Sequence, residues 1–427
     1  MCGNGGRPIS RRAILVVFAL ATGLRLGYDW AAGRFTADLM LDEHHYHAFA
    51  LSLAAGEGYR FEGKPSAFRP PVYPLFLAAT YLVVGERPGV VRGLQGLISA
   101  ATCVGLIFVA REAGFSARTS LMAGVFGALH PLLWVLAGML WSETLYLGLL
   151  TAVVWLWLRA DRETTLKRLV ALGVLSGTGI FLRPEMCLYV ATLTMWALLA
   201  RAVKRVRPST RMAALLGPSL ALIAIWTVRN YYVLHAFVPL TTQGGVVLWN
   251  GNNPLARGGA TDPLPENWRG EGPPPDLFFR GWSDLSEVES ARRFRREAQR
   301  WILGHPGQWA AVMLMKAARI FRPDARANLR ESGVPLILSA LYYVFLGLVV
   351  VGVCVHWHRR RTLLPVLAPV AVTVTTSLVF YASTRISAPL AIPVCIFGAA
   401  GAAFTFDRFF RREPPAALTR RGHRTEV

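Results

Sequence analysis

Long apolar runs separated by short polar connections dominate the chain. A helix needs about 20 mostly apolar residues to cross a bilayer. Most of the runs are close to this length, and the shorter ones reach it when flanking residues are included. The pattern predicts an all-α polytopic membrane protein with about ten transmembrane helices. The predicted spans are residues 12–26, 93–110, 119–142, 144–158, 169–182, 186–200, 212–228, 332–357, 362–384 and 386–406.

The distribution of basic residues predicts the orientation of these spans. Lys and Arg concentrate on every second connection, as in the groups at 159–168, 201–211 and 359–361. The positive-inside rule then predicts that both termini are cytoplasmic. Two long loops, at about 29–92 and 229–331, fall on the outer (periplasmic) side of the cell (inner) membrane. We expect the active site there, on a single transmembrane domain (1–407) that a basic tail (408–427) follows.

Composition agrees with this class and removes several others. Hydrophobic residues make up 53% of the chain and charged residues 17%, too few to cover an ordinary soluble enzyme. The net charge of +21 is largely explained by the basic cytoplasmic connections, so we expect no nucleic-acid partner. The five cysteines lie in apolar runs or in the N-terminal tail and are not spaced as a disulfide framework.

The first outer loop holds an acidic pair, Asp42 and Glu43, at the start of a predicted amphipathic helix over residues 41–53. Tyr46 and Phe49 share its apolar face, which suits a helix lying on the membrane surface. A helix N-terminus favours carboxylates, so the pair either caps this helix or takes part in chemistry.

Three arginines are candidates for binding phosphate. Arg69 stands at the Pro70-Pro71 entry to an apolar stretch, and Arg183 and Arg385 lie in short outer turns, where topology does not favour basic residues. Guanidinium groups match phosphate oxygens bidentately, so we predict that the three converge on one anion. The alternatives are lipid contact for Arg69 and Arg385, and an ion pair with Glu185 for Arg183.

Glu143 begins the fourth span in an otherwise apolar context, which marks it as a functional candidate that orients an acceptor or holds a metal. The alternative is a helix-start carboxylate with Ser142 as N-cap. His44, His45 and His47 invite a metal site, with structural or surface histidines as the alternative.

The second outer loop contains the turn-forming segment Asn250 to Pro254, a Pro-rich stretch and a charged helix predicted from Asp284 to Trp301. Lys316 follows at helical spacing with Arg319 and Arg322. Such a loop is either a connector or a cover over the substrate, and its basic helix also suits contact with anionic membrane lipids.

In their order along the chain, these features resemble the GT-C superfamily of membrane glycosyltransferases. The likeness is greatest to bacterial relatives of the protein O-mannosyltransferases and to the lipid A aminoarabinose transferases. The residues that carry it are Asp42, Glu43 and Tyr46; Arg69-Pro70-Pro71; Trp141-Ser142-Glu143; Gly173, Gly177 and Phe181 to Glu185; Val228 to Tyr231; Phe237 to Thr242; Gly244-Gly245; Gly251 to Pro254; and, more loosely, His305-Pro306 with Lys316.

The resemblance implies an inverting glycosyltransferase that takes a sugar from a polyprenyl-phosphate donor and passes it to a lipid, glycan or protein acceptor. It implies Asp42 as general base, with Glu43 as the alternative and Glu143 in support. The substrate-binding residues would be Tyr46, Tyr73, Asn252 and Asn253, beside the three arginines. Other readings are a transporter or flippase of lipid-linked substrates and a non-catalytic assembly or receptor protein.

The cofactor requirement is left open by the sequence. The aminoarabinose transferases have an acidic residue before the basic-Pro-Pro motif, where it can help to bind a metal, and this chain has Phe68 there. Where their acidic-pair motif carries an arginine before the aromatic residue, this chain has His45. We therefore assign no residue as a metal ligand.

Overall fold

The computed structural model describes residues 8–202, 209–260, 285–320 and 336–410, and this part of the chain is almost entirely helical. A two-residue antiparallel pairing, Arg60–Phe61 with Lys64–Pro65, accompanies the helices. In chain order the helices are α1 (Arg11–Ala31), α2 (Leu41–Ala54), α3 (Val72–Val84), α4 (Pro88–Glu112), α5 (Ala117–Leu129), α6 (Pro131–Ala137), α7 (Glu143–Arg162), α8 (Leu166–Ile180), α9 (Met186–Ala202), α10 (Ser209–Leu234), α11 (Gly244–Gly251), α12 (Glu287–Gly304), α13 (Pro306–Ile320), α14 (Leu336–His356), α15 (Arg360–Val379) and α16 (Ala391–Phe410).

The helices agree with a multi-pass membrane protein. Among the described residues, six helices are long and apolar enough to cross a bilayer, or seven if the bent pair α5–α6 counts as one span. The predicted runs beyond these form α8, α9 and α14, which do not meet the same test of length and composition over their described residues. The predicted all-α class is thereby confirmed, and every predicted span corresponds to a helix or to the bent pair.

The bend between α5 and α6 is 54° and lies at His130-Pro131. A break in a spanning helix frees backbone carbonyls that lipid cannot satisfy. Arg25, fully buried in α1, donates to the carbonyls of Gly127 (3.1 Å) and Ala128 (3.3 Å). The Trp134 indole also donates to Ala128 O, at 2.7 Å. An intramembrane arginine thus satisfies carbonyls that the bend leaves free.

The amphipathic helix of the first loop is observed as α2, and its apolar face packs on protein. Tyr46, Phe49 and Ala50 are buried, and Tyr46 meets Tyr73 of α3 edge-on at a centroid distance of 4.8 Å. The paired prolines precede α3, and the Val72 N–H donates to Phe181 O at 3.1 Å. The first loop was predicted at about 29–92, but α1 extends to Ala31 and α4 begins at Pro88. Helices α2 and α3 lie between them.

The two segments predicted as outer loops contact each other. Helix α12 begins at a capping box formed by Ser286 and Glu289, close to the predicted start; Asp284 and the Pro-rich stretch lie outside the described residues. Glu287 accepts hydrogen bonds from the Ala67 N–H (3.0 Å) and the Thr242 hydroxyl (2.5 Å). These bonds attach α12 to the segment that carries Arg69. The basic tail beyond Phe410, like Arg322, also lies outside the described residues.

Candidate active site

Asp42 lies at the start of α2, where two arginines from distant parts of the chain meet it. Arg69, before α3, binds one carboxylate oxygen, and Arg385, in the turn between α15 and α16, binds the other. The Asp42 side chain keeps 29% of its surface exposed, the most in this cluster of charged residues. It is therefore both strongly ion-paired and reachable from solvent.

The two arginines set the charge state of Asp42. Burial alone would raise the pKa of this carboxyl, but Arg69 and then Arg385 hold the pKa well below its usual value. His45, one turn along α2, behaves differently, because burial and the nearby Arg69 lower its pKa to about 4. Its Nδ1 lies 3.0 Å from Nη2 of Arg69, so the neutral ring accepts this hydrogen bond.

Arg69 is held in a half-closed pocket of aromatic rings. Its guanidinium lies 5.1 Å from the ring centroid of Tyr46 and 5.0 Å from that of Phe68. It also donates to the side-chain oxygen of Gln243 in the second outer loop, at 3.3 Å. Gln243 was missed in the sequence because a lone glutamine in a loop has no distinguishing pattern.

Glu143 forms the second meeting point. It is fully buried at the first turn of α7, and one carboxylate oxygen accepts from both Arg385 and Arg183, the latter at 2.6 Å. The guanidinium of Arg385 stacks 4.0 Å from the ring centroid of Trp141. Ser142 occupies the N-cap position, but its side chain makes no capping hydrogen bond.

The structure brings the three arginines into one network through shared carboxylates. Their predicted binding of one phosphate anion stays a prediction. The ion pair between Arg183 and Glu185, considered as its alternative, is present as well. We call this arrangement the charge array. Basic and acidic groups alternate in it, in the order Arg69, Asp42, Arg385, Glu143, Arg183 and Glu185.

Glu43 points away from Asp42 into the protein. Fully buried, it accepts from the backbone N–H of Met40 (2.8 Å) and of Leu140 (2.6 Å), and pairs with Arg92 of α4 at 3.4 Å. The contact with Met40 closes the N-terminus of α2, and the contact with Leu140 joins α2 to the segment before Glu143. Glu43 thus links the helix that carries Asp42 to the segment that leads to Glu143.

The predicted substrate residues divide into two groups. Tyr46 lies in the site under Arg69, with its hydroxyl 3.5 Å from that of Ser142. Tyr73 lies behind Tyr46 and donates to Gln95 at 2.7 Å. Asn252 and Asn253 are buried, and their amides bond to backbone carbonyls, including Val379 O and Trp249 O. Neither of these two bonds reaches the charge array.

The carboxylates of the site are paired with arginines. Asp42 and Glu143 are bridged by Arg385, which pairs with both. His47 bonds to the Tyr81 hydroxyl (2.9 Å) and to Glu86 (3.0 Å), and His44 is exposed. Among the described residues, no group of three His, Cys, Asp or Glu side chains is placed to hold a metal ion.

The fold of the described residues is shared with solved structures of GT-C architecture. The chain is similar to the oligosaccharyltransferase of Archaeoglobus fulgidus in its complex with Zn and sulfate, with a TM-score of 0.57 at 11% identity, over 93% of this chain and 49% of that one. The same enzyme tethered to an acceptor peptide gives a TM-score of 0.55 at 11% identity, with the same coverage. This chain thus spans about half the length of these structures.

A family model adds a resemblance in sequence. The model described as dolichyl-phosphate-mannose-protein mannosyltransferase matches residues 68–231, which include Arg69, Glu143 and Arg183. ArnT from Cupriavidus metallidurans bound to undecaprenyl phosphate is a further similar structure, with a TM-score of 0.39 at 15% identity, over 95% of this chain and 80% of that one. None of the curated proteins matches this chain. The resemblance predicted from the sequence is confirmed by the family model and the fold.

Proposed function

We propose that this protein is a membrane glycosyltransferase that moves a sugar from a polyprenyl-phosphate donor to an acceptor hydroxyl, with inversion at the anomeric carbon. The observation that carries the proposal is Asp42, a partly exposed carboxylate held between Arg69 and Arg385. The chemistry needs a carboxylate at the acceptor and positive charge at the leaving phosphate, and both stand here side by side. The name of the matching family likewise joins a polyprenol-type phosphate to a sugar.

The arginines give Asp42 a way to become a base when the donor arrives. A carboxylate that accepts two guanidinium groups has a low pKa and binds a proton poorly. A donor phosphate presents oxygens that compete for the same guanidinium groups. As Arg69 and Arg385 turn to the phosphate, Asp42 loses its ion pairs, its pKa rises, and it can accept a proton. Donor binding and base activation are then one event.

The transfer step follows from this exchange. The acceptor oxygen attacks the anomeric carbon while its proton passes to a carboxylate oxygen of Asp42. The bond from the anomeric carbon to the phosphate oxygen breaks, and its electron pair leaves with that oxygen. The negative charge that develops there is stabilised by Arg69 and Arg385, and Glu143 and Arg183 hold Arg385 in place.

We assign the base to Asp42 rather than to Glu43. Glu43 is fully buried, and its two oxygens are already used by two backbone N–H groups and by Arg92. A carboxylate in that position supports the fold of the loop and has no open side for an acceptor. Asp42 is the neighbour that solvent reaches.

We place the site on the outer side of the membrane and both termini in the cytoplasm. The transmembrane domain comprises residues 1–407 and the basic tail residues 408–427, as the sequence predicts. The charge array lies near the start of α4, where Arg92 contacts Glu43. The opposite end of α4 carries a different cluster, in which Arg162 pairs with Glu112 at 3.2 Å and Arg359 caps Ala113 O at 2.5 Å. Such a basic end is typical of the cytoplasmic side. The acceptor we expect is a lipid, glycan or protein.

The direct test is transfer of radiolabelled sugar from a panel of polyprenyl-phosphate sugars by membranes that contain wild type, Asp42→Asn or Glu43→Gln at equal folded protein. We expect wild type to transfer one of these sugars. Asp42→Asn should lose about 100-fold or more, the usual contribution of general base catalysis. Glu43→Gln keeps an acceptor oxygen for Leu140 and should retain most activity. Undiminished transfer by Asp42→Asn would remove Asp42 as the base.

A further inference from the structure

Lys316 of α13 is a buried cation that pairs with no carboxylate among the described residues. Its side chain is fully buried, and its ammonium donates to the Asn252 side-chain oxygen and to Leu378 O, both at 2.9 Å. Among the described residues, no carboxylate lies within ion-pair distance of it. Burial lowers its pKa to about 8. A charge buried at such cost calls for a reason.

The two partners of Lys316 lead to one place, the C-terminus of α15. Leu378 O belongs to the last turn of α15, where the helix dipole favours a cation. Asn252 uses its amide group to donate to Val379 O at 2.9 Å. Gly251, the residue before Asn252, lies against Phe380, the residue after Val379. A Cβ at Gly251 would collide with the Phe380 carbonyl, so only glycine allows the loop to lie this close to the helix end.

The same loop also binds the turn that follows α15. The N–H of Ala382 donates to Gly258 O at 2.9 Å, and Gly258 itself packs against the backbone of α13 with φ +84°. Arg385, three residues after Ala382, then reaches Asp42 and Glu143. The second outer loop therefore holds the backbone of the turn that carries Arg385.

We propose that Lys316 and Asn252 form a clamp that positions Arg385 for the donor phosphate, although neither residue touches the substrate. This inference rests on the proposed function for its effect on the donor. The clamp itself is a property of the fold that can be measured independently. It assigns Asn252 a positioning role in place of the substrate contact predicted from the sequence.

The test compares Lys316→Met with Arg296→Met, a control that removes a positive charge from an exposed position on the preceding helix α12. Hydrogen exchange of the peptide covering 379–387 should be faster in Lys316→Met than in wild type, and unchanged in Arg296→Met. Unchanged exchange in Lys316→Met would overturn the clamp. Asn252→Ser, which removes the bonds to Lys316 and Val379 without changing any charge, repeats the measurement if Lys316→Met does not fold.

Affinity for undecaprenyl phosphate then tests the link to Arg385. We expect Lys316→Met to bind this probe about ten-fold more weakly than wild type, and to have no further effect in an Arg385→Gln background. Independent losses in the double variant would show that Lys316 does not act through Arg385. If wild type does not bind the probe, the proposed function fails, while the exchange measurement still decides the clamp.

Discussion

Two sets of buried or half-buried arginines differ in what they bind. The site arginines, Arg69, Arg183 and Arg385, bind carboxylate side chains and aromatic rings. The scaffold arginines, Arg25, Arg92 and Arg229, bind mainly backbone carbonyls, such as those of Gly127, Arg34 and Ser66. A backbone carbonyl is fixed by the fold, whereas a side-chain carboxylate can give up a guanidinium to a phosphate. The partner, more than the burial, distinguishes an arginine available for chemistry from one that maintains structure.

The largest effect we expect is on stability, at a scaffold arginine. Arg25→Met leaves the carbonyls of Gly127 and Ala128 without their charged donor at the bend between α5 and α6. Each carbonyl keeps a neutral donor, Ala128 O the Trp134 indole and Gly127 O the His130 N–H. Because hydrogen bonds to charged groups contribute about 1.5–3 kcal/mol, we expect the free energy of unfolding to fall by about 3 kcal/mol. Unfolding by denaturing detergent measures this. Arg12→Met on the exposed side of α1 is the control, and an equal loss there would contradict the account.

A substitution at a site arginine should lower sugar transfer with little effect on stability. Arg385→Lys keeps a positive charge beside Glu143 and Asp42 but loses the fork that serves two partners at once. We expect kcat/KM for the donor to fall about 10- to 100-fold, with the free energy of unfolding within about 1 kcal/mol of wild type. Arg118→Lys, paired with the exposed Asp407, is the control. A loss of stability without loss of transfer would place Arg385 with the scaffold.

The pH dependence of the two kinetic parameters should also differ. In the free enzyme Arg69 and Arg385 hold the pKa of Asp42 below its ordinary value, so kcat/KM should show no acid limb above about pH 4. In the donor complex the arginines have turned to the phosphate, so the acid limb of kcat should lie at higher pH. Coincident acid limbs would show that donor binding does not release Asp42.

The smallest effect concerns His45. Burial lowers the pKa of His45 to about 4 in the folded protein, whereas an unfolded histidine has a pKa of about 6.5. Between these two pH values the unfolded chain binds a proton at His45 and the folded chain does not. The stability of wild type should therefore decrease as the pH falls from about 6.5 towards 4. His45→Gln should remove this part of the pH dependence. An unchanged slope in the variant would mean that His45 is protonated in the folded protein.

The sequence was sufficient for the helices and for much of the charge array. Apolar runs predict spans because lipid requires continuous hydrogen-bonded backbone, and each run has a matching helix or bent pair. Arg183 and Arg385 could be singled out because basic residues in short outer turns oppose the topological rule. What the pattern could not give was their partners, since Asp42 and Arg385 are 343 positions apart.

The remaining residues of the site show where pattern reading fails. Asn252 has the same local sequence whether it binds a substrate or a helix end, and its contact with Lys316 joins residues 64 positions apart. Asp42 and Glu43 are adjacent and chemically alike, yet a helix turns successive side chains about 100° apart, so one faces solvent and the other the core. Their roles are separated by packing, which composition does not record.

The affinity of wild type and Asp42→Asn for undecaprenyl phosphate tests the central claim most directly. If Asp42 and the phosphate compete for Arg69 and Arg385, removing the carboxylate charge frees both arginines. Asp42→Asn should then bind the lipid phosphate about ten-fold more tightly than wild type while losing sugar transfer. Equal or weaker binding by Asp42→Asn would contradict the exchange of arginines from carboxylate to phosphate.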